Sequence, residues 1–92
     1  MARIGKSIRV SGHVQGVFFR AWSAEQARDL GVSGWIRNCP DGSVEAHLSG
    51  EEQAVAALIE RMRRGPPGAR VANLSEESVP PEAGDGFAIR RV

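Results

Sequence analysis

Ser7-Ile8-Arg9-Val10-Ser11-Gly12-His13-Val14-Gln15-Gly16-Val17-Phe18-Phe19-Arg20 changes its hydrophobic period partway along. Ile8, Val10 and Gly12 fall on one side of an alternating run and Arg9, Ser11 and His13 on the other, the pattern of a half-buried strand. From Arg20 to Leu30 the spacing becomes helical, with Ala24, Ala27 and Leu30 on one face, Glu25, Arg28 and Asp29 outside, and Gly31 as the closing glycine. Between strand and helix lies a glycine-framed loop. A loop in that place aims backbone N–H groups toward a helix N-terminus, which suits an oxyanion such as phosphate. Arg20 adds a permanently charged planar fork that matches phosphate oxygens two at a time.

Outward from this unit the same two periods alternate. Residues 32–38 predict a second strand, and Cys39-Pro40-Asp41-Gly42 is a strong turn signal. Ser43 to Leu48 alternates again, with Val44, Ala46 and Leu48 inward and Glu45 and His47 outward, so the two segments predict a hairpin. Ser49 and Glu52 match a capping box. Ala54, Val55, Leu58, Ile59 and Met62 then recur at helical spacing, and Gly65-Pro66-Pro67-Gly68 stops the helix. A weaker strand spans 70–79, and Phe87-Ala88-Ile89-Arg90 ends the pattern as a short extra strand. The order β-α-β-β-α-β is that of an α+β, ferredoxin-like split β-α-β fold, an antiparallel sheet with two helices on one face. One domain over 1–92 is expected.

Composition bounds the function. The chain has 92 residues, 41% hydrophobic, with net charge +1 from twelve basic and eleven acidic side chains. That balance speaks against a dedicated nucleic-acid or membrane surface. The single cysteine, Cys39, forms no intrachain disulfide and fits a reducing, cytoplasmic compartment. Small size points to a monomer, while exposed edge strands leave a dimer open.

The loop lacks the parts of the common phosphate chemistries. Gly16 is followed by Val17-Phe18, not by the Lys-Ser/Thr of a P-loop, and Val14 stands where a thiol-dependent phosphatase needs its cysteine. His13 and His47 make no convincing metal-ligand set. Two readings of the loop stand side by side. The glycines are turn formers, with Phe18 and Phe19 as core anchors and Arg20 solvated at a helix start; or the loop binds an anion. A cation at a helix N-terminus disfavours the first unless an anion joins it.

A second constellation is Gly34-Trp35-Ile36-Arg37-Asn38-Cys39-Pro40-Asp41-Gly42-Ser43-Val44-Glu45. Asn38 ends a strand before a tight turn, where Asn often bonds its own turn backbone. Its amide carries both a donor and an acceptor and is equally able to hold a water. Trp35 reads as packing, Asp41 and Gly42 as turn residues, and Cys39 as a bystander.

Taken together, Gly12-His13-Val14-Gln15-Gly16-Val17-Phe18-Phe19-Arg20 and Gly34-Trp35-Ile36-Arg37-Asn38 with Asp41-Gly42-Ser43-Val44-Glu45 resemble the two signatures of the acylphosphatase family, in the correct order. The likeness runs from about Ile8 to Ile89; the region 72–85 is the least family-like. The resemblance implies hydrolysis of an acyl phosphate to a carboxylate and inorganic phosphate. It implies that Arg20 and the backbone N–H groups of Gln15, Gly16, Val17, Phe18 and Phe19 bind the phosphoryl group. It also implies that Asn38 orients the attacking water, that inorganic phosphate is product or inhibitor, and that no metal or organic cofactor takes part.

Three other classes fit the residues less well. A non-catalytic module sensing a phosphate-bearing ligand would use the same loop, but would not call for both signatures at once. An RNA-binding version of the fold wants exposed aromatics on the central strands; Ile8, Val10, Val44 and Leu48 are inward aliphatics. The acylphosphatase-like domain of larger carbamoyl-transfer maturation proteins shares the motifs, but the length of this chain favours a free-standing enzyme.

Overall fold

Each segment of period two forms a strand, and each segment of helical period forms a helix. The computed structural model describes residues 2–90; Met1, Arg91 and Val92, the ends of the expected span, lie outside the described residues. The elements are β1 (Arg3–His13), α1 (Phe19–Leu30), β2 (Ser33–Asn38), β3 (Val44–Glu51), α2 (Glu52–Arg64), β4 (Arg70–Val79) and β5 (Phe87–Arg90). The strands make one sheet in the order β4-β1-β3-β2-β5.

Alternation decides which face is covered. Ile8, Val10, Ile36, Val44 and Leu48 are at most 1% exposed, as are Val55, Leu58 and Met62 of α2. Burial of side chains of this size stabilises by roughly 2 kcal/mol each. The first helix packs on β2 and β5, and α2 on β1, β3 and β4. Gly31 closes α1 as the residue spacing predicts: its N–H bonds to the Arg28 carbonyl, and that of Val32 to Ala27, which ties two buried apolar residues together at the helix end.

Two expectations need correction. The sheet is mixed, because β5 runs parallel to β2, pairing Gly34 with Phe87 and Ile36 with Ile89. The reason is geometric. The chain reverses after β4 and crosses to the far edge, where β2 also opposes β4 in direction. The capping box at Ser49 is not formed either. Pairing with β1 continues through Ser49 and Gly50 to Glu51, so the ladder claims the serine and the helix starts later. Glu51 is the N-cap, with no side-chain cap bond. Ser49 Oγ instead accepts the Glu82 N–H at 3.0 Å, fastening the crossing segment to β3.

The start of α1 at Phe19 leaves part of the inner sheet face uncovered. Asn38, at the end of β2, shares a face with Ile36, and Ile89 shares one with Phe87. Both lie at this open end.

If Ser49 fastens the crossing segment and not the helix, Ser49→Ala should cost about 1 kcal/mol, as for one lost hydrogen bond. Amide exchange should speed up at Glu82 and stay unchanged at Gln53 to Val55. Faster exchange confined to the first turn of α2 would restore the capping box.

Candidate active site

The loop between β1 and α1 is anchored at both ends. Val14 and Phe19 are each 1% exposed, and Val17 packs partly against the core. Between these anchors the sign of φ alternates. Gly16 stands at +74° and Phe18 at +61°, the one non-glycine residue with positive φ among those described, while Val17 between them is not in that region. Alternation of this kind turns successive N–H groups into one concavity, a nest for an anion. Among the described residues, no acceptor takes the N–H groups of Gln15, Gly16, Val17 or Phe18. Phe18 is also the N-cap of α1; it offers no side-chain cap, and the first turn contains no acidic residue. The helix therefore begins with bare donors and a positive dipole end.

Phe18 does not anchor the core as expected: it is 82% exposed. Its left-handed backbone directs the ring outward, and the inward direction at the start of α1 is taken by Phe19. Such a backbone costs a non-glycine residue about 1–2 kcal/mol.

Val14, Gly16, Phe18, Arg20, Asn38 and Ile89 line an open pocket of about 290 Å³ together with Phe19 and Ala21. Arg20 is half-buried there. Arg9, Arg37, Arg61 and Arg63 each pair with a carboxylate. Among the described residues Arg20 has no such partner; its Nη1 reaches only the Arg90 carbonyl, at 3.4 Å. Asn38 Oδ1 is buried with no hydrogen-bond partner. Ser23 Oγ and Trp35 Nε1 are unpaired in the same way, but of the three residues only Asn38 lines this pocket; an unpaired buried acceptor costs about 1–3 kcal/mol.

Gln15 and Val17 stand apart from the pocket in their side chains. Val17 turns to the core, and Gln15 reaches the turn that follows Asn38. Its Nε2 donates to the carbonyls of Cys39 and Ser43, both at 2.9 Å. The turn is further closed by Cys39 N–H to the Ser43 carbonyl and Gly42 N–H to the Cys39 carbonyl. Ser43 donates its hydroxyl and its N–H to Asp41 Oδ1, at 2.6 and 2.9 Å. These bonds, the hydroxyl first, hold the Asp41 carboxyl below its ordinary pKa. On the outer sheet face, the Glu45 carboxylate bonded to Arg37 holds that guanidinium above its ordinary value.

Two contributions to the site leave no mark in the sequence. The sequence places Gln15 in the site for its N–H, yet its side chain joins the loop to the Asn38 turn, which no spacing signals. Ile89 enters the pocket only through the parallel pairing of β5 with β2, which the sequence pattern does not specify. Neither histidine lines the pocket. His47 lies behind the sheet, stacked on Trp35 and 3.9 Å from Glu82. Among the described residues no group of three or more His, Cys, Asp or Glu is placed to hold a metal ion.

Comparison with known proteins agrees with the family resemblance. The family model described as Acylphosphatase matches residues 6–89. An acylphosphatase of Anaeromyxobacter dehalogenans is 52% identical, over 96% of this chain and 96% of its own length. One from Rhizorhabdus wittichii is 49% identical, over 92% of this chain and 86% of its own. The structure of an acylphosphatase from Coxiella burnetii superposes with a TM-score of 0.92 at 36% identity, covering 96% of this chain and 93% of that one.

The Gln15 bridge is testable without turnover. Gln15→Leu removes the donor shared by two carbonyls and should cost about 1–3 kcal/mol in chemical denaturation. Amide resonances should shift both in 14–18 and in 39–43. Gln15→Glu faces two carbonyl oxygens with a carboxylate, so it should be worse at neutral pH and recover in part as the pH falls and the acid regains a donor. Equal stability of all three chains would show that the bridge contributes nothing.

Proposed function

The chain belongs to the acylphosphatase family, enzymes that hydrolyse the carboxyl–phosphate bond of acyl phosphates, and on that premise we propose how its own residues carry out the reaction. Arg20 and the N–H groups of Gln15 to Phe19 hold the phosphoryl group. Asn38 orients the attacking water. One observation carries this reading: a half-buried arginine without a carboxylate partner shares a pocket with an asparagine whose Oδ1 is buried and unpaired.

The chemistry asks for few groups. Water oxygen attacks phosphorus, the bond from phosphorus to the bridging oxygen breaks, and its electron pair leaves with the carboxylate. The conjugate acid of that leaving group has a pKa of about 4, as for carboxylic side chains, so no strong general acid is needed. Phosphoryl transfer depends mostly on positioning and on stabilising charge over the equatorial oxygens. Fixed N–H donors and a guanidinium do this without reorganising during the reaction. Asn38 accepts from the water through Oδ1 but is no base. The proton of the water passes to a phosphoryl oxygen of the substrate, and inorganic phosphate is released. Product phosphate occupies the same donors and competes with substrate.

The same reading gives the chain a monomeric, cytoplasmic setting. The edge strand β4 carries exposed Glu76 and Glu77, which discourage edge-to-edge pairing. Cys39, the one cysteine, is a buried free thiol.

The two proposed roles separate experimentally. Arg20→Ala should lower kcat/KM for benzoyl phosphate by more than about a hundredfold and weaken inhibition by inorganic phosphate, with the fold retained. Asn38→Ala should lower kcat by roughly two orders of magnitude, as for one preorganised group, and leave phosphate inhibition in place. Undiminished phosphate inhibition in the first variant, or undiminished turnover in the second, would remove that residue from its role.

A metal has no part in this scheme, so chelator should leave turnover of benzoyl phosphate unchanged. A phosphomonoester, whose alkoxide leaves poorly without an acid, should not be cleaved. Loss of activity in chelator would overturn the scheme.

A further inference from the structure

Phe18 and Ile89 are the large apolar side chains that stand exposed among the described residues, at 82% and 45%. Both line the one pocket that also holds Arg20 and Asn38. The other sizeable apolar side chains near them are covered: Phe19 is buried, and Val17, Trp22 and Leu30 pack against the core. Two independent features of the backbone keep the pair exposed. Phe18 is turned out by its left-handed conformation at φ +61°. Ile89 is set beside Ile36 by the parallel pairing of β5, at the open end of the inner sheet face.

An acyl phosphate has two halves joined by a single bridging oxygen. Once the phosphoryl half is held by the loop and Arg20, the acyl half lies within a few bond lengths of it, in the same pocket. The surface left to meet it there is the Phe18 ring and the Ile89 side chain. We propose that Phe18 and Ile89 receive the acyl group and make this enzyme selective for acyl phosphates whose acyl group is bulky and apolar, flat aromatic groups above all, over acetyl phosphate. The inference rests on the loop holding the phosphoryl group as described above. A ring on a ring favours an offset or edge-on contact beyond simple burial. A charged acyl group gains nothing from this surface and loses water. Because the contact is present in the bound substrate and persists as the bridging bond breaks, it raises kcat/KM through a lower KM and leaves kcat little changed.

The test is the ratio of kcat/KM for benzoyl phosphate to that for acetyl phosphate, whose leaving carboxylates are of similar basicity. A ratio cancels any loss common to both substrates, including a disturbance of the loop. Phe18→Asn removes the ring but keeps a residue that tolerates the left-handed conformation, and Ile89→Ser replaces a side chain that is 45% exposed. The wild-type ratio should exceed one, and should fall by roughly tenfold when both side chains are replaced, the scale set by a modest apolar contact. A ratio unchanged in both variants, with turnover still measurable, would overturn the proposal while leaving the phosphoryl site intact. An unchanged ratio accompanied by dissociation of a wild-type dimer in sedimentation of Phe18→Asn would overturn it too, assigning the ring to a second copy of the chain. Failure of the wild type to cleave either substrate, with inorganic phosphate still bound, would remove the acyl phosphate reading itself.

Discussion

Backbone N–H groups converge on one point only when the residues that carry them are held from behind. In this fold the constraint falls on the short crossing from β1 to α1. Val14 and Phe19 are sunk in the core on either side of it, and Val17 rests against the core between them. With those three fixed, the alternating handedness at Gly16 and Phe18 has no freedom to relax, and the donors of 15–18 stay without acceptors among the described residues. The cost is local strain and unpaired donors; the sheet and both helices supply the stability that offsets it. Loops that carry function on a rigid scaffold commonly divide the work in this way.

The second half of the site depends on where α1 begins. Had the helix started a turn earlier, it would have covered the inner face at the end of β2, and Asn38 would have met a helix side chain instead of open pocket. The Gln15 amide then sets the distance between halves that are far apart in sequence, because its two donations span from the loop to the Asn38 turn. Arg20 completes the charge balance: it stands at the positive end of a helix without a carboxylate partner, a position that becomes favourable when an anion joins it.

Most of the architecture was legible because period two and period 3.6 leave different marks. Ile8, Val10 and Val44 lie inward where alternation puts them, and Val55, Leu58 and Met62 fill the buried stripe of α2. The misreadings have physical causes. Ser49 carries a capping signal, but a strand ladder outbid it, and ladders depend on partners far along the chain. The parallel pairing of β5 follows from a crossing over the sheet that no local pattern encodes. Phe18 and Phe19 are chemically alike, so only the handedness of the backbone at 18 separates an exposed ring from a buried one. In the site, the motif residues Arg20 and Asn38 do share a pocket, as the two signatures imply, while Ile89 enters it from the far end of the chain.

The choice of main-chain donors explains why the loop tolerates such unlike side chains. An N–H group is present at every residue except proline, so Gln15, Gly16, Val17, Phe18 and Phe19 offer the same donor whatever their side chains do. Each side chain is thereby released for a different task. Gln15 braces the neighbouring turn, the bare Gly16 permits the turn of the backbone, Val17 and Phe19 fasten the loop to the core, and Phe18 faces the pocket mouth. A site built from side-chain donors would have needed those same positions for binding and would have had nothing left to hold the loop still. In a chain of 92 residues, that separation lets unpaired donors, buried supports and an exposed ring occupy consecutive residues.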